Sequence, residues 1–264
     1  MLNNKGKKSY KGYLYLLPAL LVLSVFVFYP IINAIVFSFD ETKAVGYVFG
    51  FGSYKYLFED KRFLQSLVNT VIYAAVVPAL SVGLSLMIAN ALANLKNEKL
   101  KGIFQSIYFL PYVTSLVAIG VVWSWLFNGQ YGIINYLLGF IGIDPINWLS
   151  DPNWAMPALI IFSVWKSLAF NTLILTTIPL VSPIILYTYI ISLIAGFKVY
   201  TEVFVLFNGR TLDGRVSTVV MYIIDRFYGD QDFPLAFAAA VVLLLIILTV
   251  TFVQRTIARN KVHY

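Results

Sequence analysis

The chain has 264 residues, of which 60% are apolar and only 12% are charged, and its formal net charge is +7. Ordinary soluble domains carry about a quarter charged residues, so this composition excludes that class and indicates a protein that lies in lipid. Cysteine is absent and His263 is the single histidine, which excludes a disulfide framework and a thiolate metal site. The basic residues flank apolar stretches and form no basic surface, so nucleic-acid binding is not indicated.

Six apolar stretches follow one another along the chain. About 20 apolar residues cross the hydrocarbon layer of a bilayer as a helix, so the pattern predicts an all-α membrane protein, a polytopic bundle of about six transmembrane helices in one domain over residues 1–264. The first stretch follows four lysines and has no small-residue cleavage site, so we interpret it as a retained helix. The predicted spans cover residues 13–39, 68–95, 103–127, 157–177, 184–207 and 233–253.

Basic residues are unevenly divided between the segments that connect these spans. If the N-terminus is inside, the inner segments hold ten basic residues and one acid, Glu98, whereas the outer segments hold seven basic and ten acidic residues. This asymmetry follows the positive-inside rule. It predicts a multi-pass protein of the cytoplasmic membrane, with both termini in the cytoplasm.

The outer segments carry two further patterns. Between the first two spans, apolar residues recur at helical spacing among charged ones, which predicts a short amphipathic helix on the membrane surface, with a plain loop as the alternative. Its apolar residues are Tyr54, Leu57, Phe58, Phe63, Leu64 and Leu67. Residues 128–154 and 208–232 are rich in Gly, Asn, Asp and Pro, and Trp148 and Trp154 in the first of them are interpreted as interfacial anchors.

Three charged residues fall inside predicted spans. Lys166 lies in the middle of the fourth span, and Lys198 and Glu202 lie in the outer half of the fifth. A charge at bilayer depth costs about 2.5–3.5 kcal/mol on insertion scales unless it is paired or faces water or protein. Lys198 and Glu202 are four residues apart on one helix face, which predicts an intramembrane ion pair between them. Lys166 is then left facing a polar cavity, or bonding to backbone carbonyls at a helix break.

An ordered set of short motifs runs along nearly the whole chain. Examples are Tyr108-Phe109-Leu110-Pro111, Trp123-Ser124-Trp125-Leu126-Phe127, Trp148-Leu149-Ser150-Asp151-Pro152, Gly196-Phe197-Lys198 and Leu206-Phe207-Asn208-Gly209. In this order they resemble the sugar-type inner-membrane permease subunits of binding-protein-dependent ABC importers, of the maltose, multiple-sugar and glycerol-phosphate type. The resemblance implies the helical bundle of an ABC importer permease.

The resemblance also implies a function and a set of partners. The chain would form the path for a carbohydrate across the cytoplasmic membrane together with a second permease subunit, as a heterodimer. Two ATPase subunits and an extracytoplasmic sugar-binding protein would complete the complex. The chain would be no enzyme and would bind no cofactor, because ATP and Mg²⁺ would be bound by the ATPases. The absence of a glycine-rich phosphate loop with its lysine agrees with this expectation.

The resemblance further implies a sugar site on the third, fourth and fifth spans. Matching motif by motif, as in the maltose-type importer, gives a set of substrate-path candidates. They are Tyr112, Lys166, Phe170, Leu193, Phe197, Lys198 and Thr201. Which sugar is bound, and whether the site belongs to this subunit or to its partner, stays open at this point.

One departure from the family pattern concerns the cytoplasmic loop between the fourth and fifth spans. Family members carry there a Glu-Ala-Ala motif on a short helix that contacts the ATPase. Here only the closing phrase with Ile178 and Pro179 is present, so the coupling loop expected near residues 175–179 is predicted to be missing. A re-entrant hairpin of the fourth and fifth spans is an alternative interpretation of the same stretch.

Two alternative functions remain. The first is a transport-defective permease relative that still dimerises but does not couple to an ATPase. The second is a membrane-embedded enzyme such as a lipid-linked sugar transferase, which usually needs several carboxylates or histidines near one interface. No tight carboxylate pair stands at a predicted span end, which disfavours the enzyme.

Overall fold

The computed structural model describes residues 11–42, 46–177, 182–210, 212 and 214–259. Within these ranges the protein is helical, and the only β pairing is a single bridge between Asp40 and Phe49. The all-α fold class predicted from the apolar pattern is therefore confirmed. The candidates Ile178 and Pro179 lie outside the described residues.

The chain begins with one long helix that bulges in its middle. Helix α1 (Lys11–Leu23) passes through a π-helical turn (Ser24–Phe28) into α2 (Tyr29–Phe37). Pro30 has no N–H for the carbonyl one turn earlier, and a π turn is a usual adjustment to that loss. No residue from Tyr15 to Phe37 is buried in the bundle. This span contacts the bundle mainly through α2 and the last helix.

Two helices follow in place of the predicted amphipathic segment. Helix α3 (Gly52–Glu59) buries Leu57, and α4 (Lys61–Ala93) buries Phe63. Asp60 separates them because its backbone is extended and its side chain caps α4 by accepting from the Arg62 N–H at 2.9 Å. The predicted surface helix is thus confined to α3, and the second span begins at Lys61 rather than at residue 68.

The remaining helices complete the bundle, and two of the predicted spans are bent. Helices α5 (Glu98–Val113) and α6 (Leu116–Leu126) meet at 100°, and α9 (Ser182–Phe197) and α10 (Thr201–Phe207) meet at 55°. Four helices are long and apolar enough to cross a membrane, or up to six spans if each bent pair counts as one. The other helices are α7 (Ile133–Gly139), α8 (Pro152–Thr177), α11 (Val219–Ile224), which runs into a π turn (Asp225–Gly229), and α12 (Phe233–Arg259).

Helix α4 lies at the centre of the described bundle, between α8 and α9. One cluster of buried apolar residues joins α4 to α6, α8 and α10, and a second joins it to α9, α11 and α12. The α4–α9 approach is close, because a Cβ added at Gly196 would stand 3.0 Å from the Ala74 Cα. A side chain at Gly120 would likewise collide with Val205, so α6 and α10 also pack closely.

One end of the bundle carries most of the connecting chain, and we call it the loop-rich end. It includes residues 38–42, 46–60 and 127–151, together with the described residues between 208 and 232. Contacts between distant segments show that these loops share one end: Asp60 accepts from Arg226 at 2.8 Å, and Trp148 lies in the same buried apolar cluster as Val216. At the opposite end, residues 94–97 link α4 to α5.

Candidate functional site

The third predicted span is broken inside the membrane portion of the chain. Pro111 removes one backbone donor from the last turn of α5, and Thr114 and Ser115 have extended backbones between α5 and α6. The Thr114 hydroxyl satisfies the Leu110 carbonyl at 2.7 Å, so one backbone acceptor at the break has a partner. Broken helices in membranes are tolerated only where protein or a cavity surrounds the irregular backbone.

A cavity of about 580 Å³ opens on the inner side of this bend, between α5, α6 and α8. Its walls include three large aromatic residues, Tyr108, Trp123 and Trp165, and the two indole rings lie 5.1 Å apart. Among the residues that the structure describes, no charged one lines it. The lining residues are Ile107, Tyr108, Leu110, Pro111, Thr114, Ala118, Ile119, Val122, Trp123, Leu126, Trp165, Leu168 and Ala169.

An ion pair next to this cavity links two spans. The Lys166 Nζ on α8 lies 2.6 Å from the Glu202 Oε1 on α10, and the side chains are 31% and 20% exposed. Glu202 stands in the first turn of α10, where the helix dipole also favours a carboxylate. The predicted pair of Glu202 with Lys198 is therefore wrong. The 55° break at residues 198–200 turns the two residues apart, and Glu202 reaches across to the neighbouring helix instead.

The other predicted path residues fall into two groups. Tyr112 is exposed and stacks on Phe170, with ring centroids 5.3 Å apart, so these two lie together on the α5–α8 surface. Leu193 and Phe197 are buried in the second apolar cluster and do not reach that surface. Thr201 is exposed at the start of α10.

Lys198 lies at the α9–α10 break and is exposed. Among the described residues it makes no side-chain hydrogen bond or ion pair, unlike Lys166.

Sequence reasoning missed the aromatic cavity and a buried polar link. Trp123 belongs to one of the motifs that carried the resemblance, but no pattern in a single sequence places it against Trp165 of another span. Asn171 on α8 donates to the Ser81 hydroxyl and accepts from the Ser192 hydroxyl, both at 3.2 Å. This asparagine joins α4, α8 and α9 in the interior. In the sequence, the only indication of this role is that Asn171 is a polar residue within an apolar span.

A charged cluster around Asp60 holds the loop-rich end together. The Asp60 Oδ2 accepts from the Tyr222 hydroxyl at 2.7 Å and from Arg226 at 2.8 Å, and Arg226 also donates to Asp230 at 2.6 Å. Burial opposes ionisation of Asp60, but the hydrogen bonds from Tyr222, the Arg62 N–H and Arg226 outweigh it and lower its pKa. The pKa of the neighbouring Asp225 is raised, mainly by partial desolvation of its carboxylate. The cluster ties the start of α4 to the π turn after α11.

These shifts predict a pH dependence of stability. Because the folded-state pKa of Asp60 is lowered, its contribution is present above the ordinary carboxyl pKa and is lost as the pH falls through the folded value. We expect the thermal midpoint of the purified protein to fall in acid below about pH 4, and Asp60→Asn to flatten that fall. Asp225→Asn is the matched control: since its pKa is raised, its removal should make the acid-induced loss steeper. Equal profiles for wild type and Asp60→Asn would contradict the prediction.

The chain is thus a helical membrane protein whose interior contains broken spans, an aromatic cavity and an interhelical ion pair. No family model matches it. The lactose transport permease LacF of Rhizobium radiobacter is 30% identical over an alignment that covers 95% of this chain and 94% of that protein. The trehalose/maltose transport permease MalF of Thermococcus litoralis is 26% identical, with 97% and 96% covered.

The fold also matches a solved transporter. A chain of the bacterial alginate ABC transporter, solved in complex with an alginate pentasaccharide-bound periplasmic protein, superposes with a TM-score of 0.80 at 19% identity, and 98% of each chain is covered. Together these similarities show that the chain belongs to the sugar-type permease subunits of ABC transporters. Members of this family are permease components and not the catalytic subunits.

The alignments also show that the relatives are longer inside the matched region. The alignment with the lactose permease spans 285 positions, more than the 264 residues of this chain. The alignment with the trehalose/maltose permease spans 290 positions. Both relatives therefore contain residues that have no counterpart here.

Proposed function

We propose that this chain forms one half of the path by which an ABC importer moves a carbohydrate across the cytoplasmic membrane. The observation that carries the proposal is the full-length similarity to lactose and trehalose/maltose permeases, combined with an aromatic cavity at a broken span. A second permease would form the other half, two ATPases would bind ATP and Mg²⁺, and an extracytoplasmic binding protein would deliver the sugar. This chain itself would need no cofactor.

The proposed sugar path runs along the α5–α8 surface. Tyr112 and Phe170 offer stacked aromatic rings on this surface, which suit the apolar faces of sugar rings, and Trp123 and Trp165 continue the aromatic lining in the adjoining cavity. Lys166 is bound to Glu202, so it supports the path by holding α10 rather than by neutralising an anionic sugar. Lys198 and Thr201 remain exposed candidates at the α9–α10 break.

The proposed orientation places the loop-rich end outside the cell. The basic residues of the chain concentrate in the segments of the opposite end, as the positive-inside rule requires for a cytoplasmic side. The binding protein would then dock on the loop-rich end, and the ATPases would meet the end that contains residues 94–97.

We also propose that the ATPase-coupling loop of the family is missing between α8 and α9. Only four residues separate Thr177 from Ser182, and the known relatives carry extra residues inside the aligned region. Such a chain would assemble with its partner permease but would not transmit ATP hydrolysis. This observation specifically favours the alternative of a transport-defective relative.

A loop-insertion experiment tests both proposals. The corresponding loop of the lactose permease is inserted between Thr177 and Ser182, and the chain is co-expressed with its partner permease and ATPase. We expect only the loop-restored form to co-purify with the ATPase and to hydrolyse ATP when the sugar-loaded binding protein is added. A Gly/Ser linker of the same length is the matched control.

The two proposals can fail separately in this experiment. If the unmodified chain also shows sugar-stimulated hydrolysis, the missing-loop proposal is wrong and the importer function stands. If the restored complex binds the ATPase but no carbohydrate stimulates it, the carbohydrate assignment fails instead.

A further inference from the structure

The short helix α7 at the loop-rich end has an inverted distribution of polarity. Its exposed side carries Tyr136 and Leu137, and Phe140 and Ile141 directly after the helix are 72% and 71% exposed. Its polar residue, Asn135, is 6% exposed and faces the bundle. In water this arrangement would leave a contiguous apolar surface uncovered, and such surfaces mark contact sites. We define the α7 patch as Tyr131, Tyr136, Leu137, Phe140, Ile141 and Ile143.

Hydrogen bonds of the buried Asn135 side chain fix the backbone on the inner side of the α7 patch. The Asn135 amide donates to the carbonyls of Gly129 and Ile146, both at 2.9 Å, and its oxygen accepts from the Trp148 indole at 2.8 Å. Trp148 is buried, so the structure makes it a core residue and not the interfacial anchor predicted from the sequence. Because these contacts fix residues 128–148 as one unit, the outward direction of the patch is built into the fold.

The position of α7 indicates what covers the patch. Residues 127–151 connect the last turn of α6 to the first turn of α8. Since both helices belong to predicted spans, we place this segment where the two spans leave the membrane. The flanking turns expose Trp125 and Trp154, and the exposed stripe of α6 through Val117 and Val121 ends at Trp125. Exposed tryptophans at span ends are typical of the membrane–water interface.

The composition of the patch matches a lipid interface. Between Asn128 and Ser150 the only charged residue is Asp144. Tyrosine hydroxyls suit the headgroup level, and the apolar side chains of Phe140 and Ile141 suit the acyl boundary just below it. The Tyr136 and Phe140 rings pack edge to face at 4.9 Å, so they present one continuous aromatic surface.

We propose that α7 is a membrane-docking element that lies on the bilayer surface, with the α7 patch inserted at the boundary between headgroups and acyl chains. It would fix the depth and tilt of the α6–α8 corner, and thereby of the aromatic cavity that α6 and α8 line. The proposal rests on the proposed orientation only for the identity of the leaflet, which is then the outer one. It does not depend on which substrate is carried.

The absence of cysteine from the chain gives this proposal a direct test. Single cysteines are introduced as Phe140→Cys, Ile141→Cys and, as the control, Asp144→Cys, because Asp144 is exposed beyond the apolar side of α7. Each is labelled with a nitroxide in the complex with the partner permease, in nanodiscs of phosphatidylethanolamine and phosphatidylglycerol. Collision with oxygen reports lipid, and collision with a water-soluble nickel chelate reports water.

We expect the oxygen-to-nickel collision ratio to exceed one at residues 140 and 141 and to fall below one at residue 144. A ratio below one at all three sites would place the patch in water and overturn the proposal. Low accessibility to both reagents at 140 and 141 would also overturn it, since a protein partner such as the second permease would then cover the patch. The readout needs no transport activity, so it stays decisive if the importer proposal fails.

Discussion

Neutralising either member of the Lys166–Glu202 pair is expected to destabilise the protein by about 2 kcal/mol. Glu202→Gln would leave the Lys166 ammonium without its 2.6 Å partner, and Lys166→Met would leave the Glu202 carboxylate alone at membrane depth. Loss of one partner of a fully buried pair costs about 3–5 kcal/mol. The smaller value is expected here because neither side chain is fully buried in the protein.

The exchange of both charges separates pairing from mere loss of a side chain. We expect Lys166→Glu combined with Glu202→Lys to recover much of the lost thermal stability, whereas each reversal alone should be worse than neutralisation, because it places like charges together. Thermal midpoints of the purified protein in nanodiscs measure this cycle. Lys198→Met is the matched control, since Lys198 lies four residues before Glu202 at the α9–α10 break but makes no side-chain hydrogen bond or ion pair among the described residues. If Lys198→Met is as damaging as Lys166→Met, the ion pair is not the reason for the effect.

Features set by local sequence could be predicted, whereas contacts between distant segments could not. The positions of the apolar spans and the all-α class follow from local hydrophobicity, which a single sequence displays directly. The partner of Glu202 does not follow from local sequence. Helical spacing predicts Lys198, four residues away, but the 55° break and the packing of α10 on α8 place Glu202 against Lys166 instead. A proline marks a place where a helix can bend, but Pro111 alone does not specify the 100° angle of α5 and α6.

The burial of particular polar and aromatic residues could not be predicted from the sequence either. Trp148 lies in a polar loop of the kind that carries interfacial anchors. Its indole is nevertheless buried, and it donates its hydrogen bond to Asn135. Asn69 and Thr70 stand in an ordinary apolar stretch of α4, and their partners lie far along the chain, at Gly214, Ser217 and Val219. Such pairings depend on how helices assemble, so periodicity within one segment cannot reveal them.

Replacing Asn69 is also expected to lower the stability of the protein strongly. Its side-chain amide donates to the carbonyls of Gly214 and Ser217, both at 2.8 Å, and so attaches the loop before α11 to the middle of the bundle. Asn69→Ala would leave both carbonyls without this donor, and Asn69→Leu would in addition place an apolar group against them. An unsatisfied buried polar group costs about 1–3 kcal/mol, so Asn69→Leu is expected to lower stability by about 2–4 kcal/mol.

The loss of stability should be greatest in the loop before α11, because Asn69 contacts the carbonyls of that loop directly. We expect amide hydrogen exchange in Asn69→Leu to rise most over residues 214–222, where the Val219 N–H also donates to Thr70 at 2.9 Å and begins α11. Gln65→Ala is the matched control: Gln65 donates to the Asn69 oxygen at 3.0 Å but contacts neither carbonyl, so its loss should leave exchange in that loop unchanged. Exchange that rises equally throughout the bundle in Asn69→Leu would mean that Asn69 supports general packing. Exchange confined to the loop would make Asn69 the point at which the loop-rich end is attached to the central helix.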